Sequence, residues 1–213
     1  MSLFVKICGI TRPEDADLAV GLGAGALGFV FWPASPRYID PAAARAITAN
    51  VPRSVAKVGV FVDEPAAAIA RIVEEAGLDA AQLHGGETPE FCRVLRAHLA
   101  NGPGGLSPTV IKAIALRGED AVGVDFDPDV LLLLDAHDPV QRGGTGRTVN
   151  WDSARTIAAT RRTILAGGLN AANVKLAIHS VRPYGIDVSS GVESSPGVKD
   201  SDRLRSFFEA LHD

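Results

Sequence analysis

Eight short apolar runs, each leading into a segment of different spacing, constrain this chain more than any other feature. They occupy residues 3–9 (LFVKICG), 26–32 (ALGFVFW), 55–62 (VAKVGVFV), 79–85 (DAAQLHG), 109–116 (TVIKAIAL), 130–135 (VLLLLD), 162–168 (RTILAGG) and 184–190 (YGIDVSS). Their starts fall 21 to 32 residues apart, which leaves room for one strand, one helix and short connections. Most are apolar at successive positions, so both faces demand cover, as in the strands of a parallel sheet.

The intervening segments carry helix signals. Residues 13–23 open with Pro13 and two acids and close in glycines, the order expected for a helix start and stop. Asp40-Pro41 supplies an N-cap and a first helical position, and Gly77 stands where a helix end needs a left-handed residue. Helical stretches follow at 88–100, 152–160, 170–181 and 200–211. Residues 117–129, with two glycines and a proline, leave room for a short helix only.

Regular βα alternation is compatible with an open doubly wound sheet or a closed barrel. Eight units within 213 residues favour the barrel, so the expectation is a single (β/α)8 TIM-barrel domain spanning 1–213. The Gly/Pro-rich stretch 101–108 sits midway through the alternation and reads as an exposed connection rather than a domain boundary.

Several function classes are excluded early. A net charge of -4 and the lack of a long basic run argue against a nucleic-acid partner. No apolar run reaches the roughly 18 residues needed to cross a membrane, and the start of the chain lacks a signal peptide's pattern. The two cysteines, Cys8 and Cys92, read as reduced thiols of a cytoplasmic protein.

In a (β/α)8 barrel the chemistry gathers at the carboxyl ends of the strands. Those ends carry Cys8, Arg37, Asp63, Gln82, His84, Asp135, Gly167-Gly168, Asp187 and Ser189-Ser190-Gly191. The amino ends hold no comparable collection, and this asymmetry points to an enzyme. A lone cysteine is most often a small buried hydrophobe, which is how Cys92 on its helix stripe is read. Cys8 differs because it ends a strand next to Gly9, which is expected to clear space for a substrate beside the sulfur. Strand alternation is taken to turn Lys6 away from Cys8. Asp135 emerges from five apolar residues and so needs a partner, water or substrate.

Glycines after the seventh and eighth runs expose backbone N–H groups where such barrels bind phosphate, with a short helix N-terminus adding its dipole. Arg37 offers a planar fork suited to a second anion such as a carboxylate. A phosphorylated small molecule is therefore the expected ligand. Cys8, His84, Asp135 and Asp187 are metal-ligating types, but no two share a short ligand spacing, so neither metal nor cofactor is expected. Two glycine motifs are set aside. GAGALG (23–28) lies between a helix and a strand, the reverse of a dinucleotide turn, and GGTGRT (143–148) lacks the first glycine and the lysine of a phosphate loop.

The motifs KICGIT (6–11), GFVFWPASPRYI (28–39), VGVFVD (58–63), QLHGGE (82–87), AGGLNAANV (166–174) and GIDVSSGVESSPGVKD (185–200), with LLLD and GGTGRTVNW between them, together resemble the phosphoribosylanthranilate isomerases of tryptophan biosynthesis. The resemblance runs from residue 5 to about residue 200 and implies a single (β/α)8 barrel. It further implies a cofactor-free Amadori rearrangement of N-(5′-phosphoribosyl)anthranilate to 1-(o-carboxyphenylamino)-1-deoxyribulose 5-phosphate. In that scheme Cys8 is the general base and Asp135 the general acid. Arg37 binds the anthranilate carboxylate, Asp187 and His84 line the pocket, and Gly167, Gly168, Ser190 and Gly191 hold phosphate. The acid must reach the substrate protonated, a state that burial or nearby anions favour. Related sugar-phosphate isomerases of the histidine pathway resemble a two-aspartate scheme, against which Cys8 argues. A barrel that only binds a phosphorylated metabolite would need neither the thiol nor the carboxylate. The chain is expected to act as a monomer or a homodimer.

Overall fold

Eight parallel strands close on themselves in strict sequence order, each paired with its two neighbours and β8 paired back to β1. They are β1 (Phe4–Cys8), β2 (Ala26–Val30), β3 (Ala56–Phe61), β4 (Ala80–Leu83), β5 (Thr109–Ala115), β6 (Leu131–Asp135), β7 (Thr163–Ala166) and β8 (Gly185–Val188). The computed structural model describes residues 3–100, 109–116, 125–135 and 151–212. Every expected strand is present, and the eight-stranded closed form replaces the open-sheet alternative.

The pleat explains why the runs are apolar on both faces. Ala26, Val58, Ala80, Ile111, Ala113, Leu133, Ile164 and Ala166 face inward and form a core of their own inside the barrel. Leu27, Phe29, Phe61, Ala81, Leu83, Leu132, Leu134, Leu165 and Ile186 face outward and pack with the helices in a second, larger core. Leu133 is fully buried, so Leu133→Ala would cost about 2–5 kcal/mol.

The surrounding helices are α1 (Pro13–Leu22), α2 (Pro41–Thr48), α3 (Ala66–Glu75), α4 (Pro89–Ala100), α5 (Trp151–Ala158), α6 (Val174–Val181) and α7 (Ser201–His212). Asp40 caps α2 by accepting from Ala42 N at 2.9 Å, with Pro41 in the first turn. Gly23 ends α1 with φ 104°. Cys92 is buried on α4, as its stripe position predicts.

Two local differences have physical causes. The helix expected over 170–181 begins only at Val174, because Asn170 and Asn173 bond the neighbouring backbone instead. Asn173 Nδ2 donates to Gly168 O at 3.0 Å, and Ala172 N donates to Asn170 Oδ1 at 2.9 Å, the local competition that asparagine offers a helix. After β8 the chain forms a 3-10 turn (Ser190–Val192) and a small hairpin, β9 (Glu193–Ser195) with β10 (Val198–Lys199), that alternation alone does not announce. The 101–108 connection, the 143–148 motif and most of the weak segment after β5 lie outside the described residues; residues 125–129 of that segment form a bend and a turn.

Candidate active site

Cys8 ends β1 on the inner face, clustered with Val30 and Val60 and only 8% exposed. Lys6 shares that face. The expectation that it turns away is overturned, because strand residues two apart lie on the same side. Lys6 is completely buried, stands opposite Asp187 across the β1–β8 seam, and its Nζ lies 3.0 Å from Asp187 Oδ1. Gly28 is the register partner of Cys8 on β2. A Cβ placed on Gly28 would lie 2.8 Å from Cys8 Sγ and 3.0 Å from Lys6 Nζ, so the glycine clears room for both groups.

Burial pushes the Cys8 thiol up; the Lys6 and Lys199 ammoniums pull it back, while Asp187 adds to the rise. Burial alone would lower the Lys6 ammonium, but Asp187 and Cys8 outweigh it and hold it above its ordinary value.

Gly9 does something other than expected. Its φ is 78°, and a Cβ there would strike Arg37 Cδ at 2.7 Å and approach Ser189 Oγ at 3.1 Å. The space beside Gly9 therefore holds the stem of Arg37, which crosses the end of β1. The guanidinium is in turn clasped by Glu193, with Nη2–Oε2 at 2.6 Å and Nε–Oε1 at 2.9 Å. Glu193 also accepts from Lys199 Nζ at 2.8 Å, and Lys199 donates to the carbonyl of Cys8. The bonds to Glu193 raise Arg37 above its ordinary value. Although burial opposes it, the two cations hold Glu193 below the usual carboxylate range. Burial lowers the Lys199 ammonium.

Across the barrel, Asp135 ends β6 and is about a quarter exposed; His84 Nε2 lies 3.5 Å from its Oδ2. Gln82, on the inner face of β4, places Nε2 3.0 Å from His84 Nδ1. With Gln82 donating, Nδ1 carries no proton and Nε2 points an N–H at Asp135. Gln82 Oε1 is buried without a partner among the described residues. Asp63 is engaged in the loops, where its Oδ1 accepts from Gly86 N at 2.7 Å.

The loops after β7 and β8 meet closely. Gly167 and Gly168 have φ of 96° and 64°. A Cβ on Gly191 would sit 1.9 Å from Leu169 O, so no larger residue fits there without moving one loop. The N–H groups of Gly168, Ser190 and Gly191 find no acceptor among the described residues.

The ends of these strands thus carry a buried thiol, a carboxylate, an arginine fork and a glycine-lined notch. Such a set can move protons on a small anionic molecule held at two points. Sequence reasoning did not single out Lys6, Glu193, Lys199 or Gly28 as functional. For Lys6 the signal was its spacing of two from Cys8; Glu193 and Lys199 lay inside a motif without a distinguishing feature. Among the described residues no group of three His, Cys, Asp or Glu side chains could hold a metal ion, and no helix is long and apolar enough to cross a membrane.

Comparison with known proteins adds an independent observation. The family model described as N-(5'phosphoribosyl)anthranilate (PRA) isomerase matches residues 5–210. The N-(5'-phosphoribosyl)anthranilate isomerase of Pelobacter propionicus is 48% identical over 204 residues, covering 95% of this chain and 92% of that protein. The phosphoribosyl anthranilate isomerase structure from Thermus thermophilus superposes with a TM-score of 0.82 at 42% identity, covering 99% of this chain and 98% of that one. A phosphoribosyl anthranilate isomerase in complex with reduced 1-(o-carboxyphenylamino)-1-deoxyribulose 5-phosphate superposes with a TM-score of 0.81 at 38% identity, covering 99% of both chains.

Proposed function

Because the chain belongs to the phosphoribosylanthranilate isomerase family, the isomerases of tryptophan biosynthesis, we propose that its rearrangement is carried by Cys8 as general base and Asp135 as general acid. The observation that carries this is their placement: the two groups end β1 and β6 on the inner face of one barrel mouth.

The substrate is N-(5′-phosphoribosyl)anthranilate. Asp135 gives its proton to the furanose ring oxygen, and the ring opens to an iminium. Cys8, as thiolate, takes the proton from the sugar C2 to leave an enolamine. Protonation at C1 with loss of the C2 hydroxyl proton then yields the ketone, 1-(o-carboxyphenylamino)-1-deoxyribulose 5-phosphate, with no net change in protons. Each step is a proton transfer, of the kind positioned acids and bases accelerate about 10²–10⁴-fold, and none calls for a cofactor.

The remaining groups bind. Arg37 meets the anthranilate carboxylate with the Nη1 edge that Glu193 leaves uncovered. The N–H groups around Gly167, Gly168, Ser190 and Gly191 hold the phosphate. Asp187 and His84 line the pocket between the two anion sites. His84 Nε2, 3.5 Å from Asp135 Oδ2, stands beside the proposed acid.

The test is a fluorescence assay with purified protein at low concentration and EDTA present. It follows loss of the anthranilate substrate, with the histidine-pathway aminoaldose assayed in parallel. Turnover of the first alone supports the assignment. Turnover of the second alone, or tight product binding without turnover, refutes it.

A further inference from the structure

Lys6 takes no step in the chemistry above, yet its ammonium sits inside the barrel with no exposure at all. Burying a charge costs several kcal/mol unless it is well partnered, and Asp187 Oδ1 at 3.0 Å is the carboxylate that meets it. Neutralising Asp187 would not by itself require the cation to lie under the thiol. The pleat of β1 nevertheless puts Lys6 on the same face as Cys8, and Nζ and Sγ converge over Gly28, each within about a van der Waals contact of where its Cβ would stand. The residue opposite Cys8 on β2 thus lacks the one atom that would keep the two groups apart.

We propose that Lys6 is a positioning residue for the base: its buried ammonium, anchored by Asp187, holds the Cys8 sulfur in place and stabilises its negative charge from inside the barrel. This rests on Cys8 being the base. When the thiol enters its active form its proton leaves to solvent, and Lys6 remains an ammonium throughout. The charged groups facing the sulfur are Lys6 on β1, Asp187 on β8, Lys199 on β10 and Arg37 from the loop after β2. Val30 of β2 and Val60 of β3 pack against it without charge. Lys6 is the first of the groups that oppose the effect of burial on the thiol.

The experiment titrates the thiol itself, in a Cys92→Ala background where Cys8 is the sole cysteine. The rate of iodoacetamide alkylation is followed against pH. Lys6→Met should move the midpoint up by at least about one unit, slowing alkylation at pH 7.5 about tenfold. Asp187→Asn, which removes the neighbouring anion, should move it down. Lys112→Met serves as control, because Lys112 is also a buried ammonium paired at 2.8 Å, with Glu87, but on the outer face of the barrel; its midpoint should not move. A purely structural role for Lys6 cannot give opposite shifts in the two site variants. An unmoved midpoint in Lys6→Met, or a shift of the same sign in both variants, overturns the proposal. If Lys6→Met does not fold, Asp187→Asn decides: a lowered midpoint supports the coupling, and an unmoved or raised one refutes it. Because alkylation does not depend on turnover, an active Cys8→Ala enzyme would remove the base assignment while the shifts still report the coupling.

Discussion

Glu193 of β9 clasps Arg37 of the β2–α2 loop at two points, Nη2–Oε2 at 2.6 Å and Nε–Oε1 at 2.9 Å. The same carboxylate accepts from Lys199 Nζ at 2.8 Å, so one buried anion steadies two cations, one of them the proposed partner of the substrate carboxylate. Its loss should therefore be felt first in binding. Glu193→Gln is expected to raise KM about tenfold with a smaller change in kcat, the pattern of a lost ground-state contact. Removing one partner of such a buried pair should also cost about 3–5 kcal/mol of stability. Steady-state kinetics and thermal unfolding read the two effects separately.

The same carboxylate predicts an acid limit. Glu193 titrates below its ordinary 4.5 in the folded protein, so its stabilisation is present above that value and is lost as pH falls through the folded-state value. Urea unfolding from pH 6 down to pH 3 should show stability dropping below about pH 4.5. Glu193→Gln should flatten that drop; an equally steep loss in the variant would place the acid sensitivity elsewhere.

At the glycine-lined notch proposed for phosphate the prediction is steric. Gly191→Ala would bring a Cβ to 1.9 Å from Leu169 O, a backbone atom that cannot rotate away. Separating the loops should cost about 1–3 kcal/mol and weaken competitive inhibition by inorganic phosphate several-fold. Gly168→Ala meets open space but a φ of 64°, so it should cost about 1 kcal/mol with a smaller effect on phosphate. Equal inhibition constants in wild type and Gly191→Ala would remove that residue from the anion site.

Asp135→Asn keeps the shape and removes the transferable proton. Turnover should fall about 10²–10⁴-fold while product affinity, measured by calorimetry, stays within a few-fold. A variant with near-normal turnover would remove Asp135 from the acid role.

Much of the barrel was legible because its strands must be apolar on both faces, which makes residues 26–32 and 130–135 stand out against their neighbours. The thiol and the carboxylate were legible too, since each is a polar exception at the end of such a run. What stayed hidden depends on neighbours in space. The pairing of Lys6 with Asp187 follows from the closure of β8 onto β1, and only register shows it. Gly9 looked like an opening for substrate, whereas the stem of Arg37 occupies that space and Gly28 on the next strand frees the sulfur. Glu193 and Lys199 came into view only with the hairpin that brings them under Arg37 and the end of β1.

The central claim is that the Cys8 sulfur takes the C2 proton. Its most direct test is a single-turnover measurement on Cys8→Ala, following loss of substrate fluorescence after mixing excess enzyme with N-(5′-phosphoribosyl)anthranilate. The expected result is a rate at least about 10²-fold below wild type, with substrate still bound. A rate close to wild type would contradict the account.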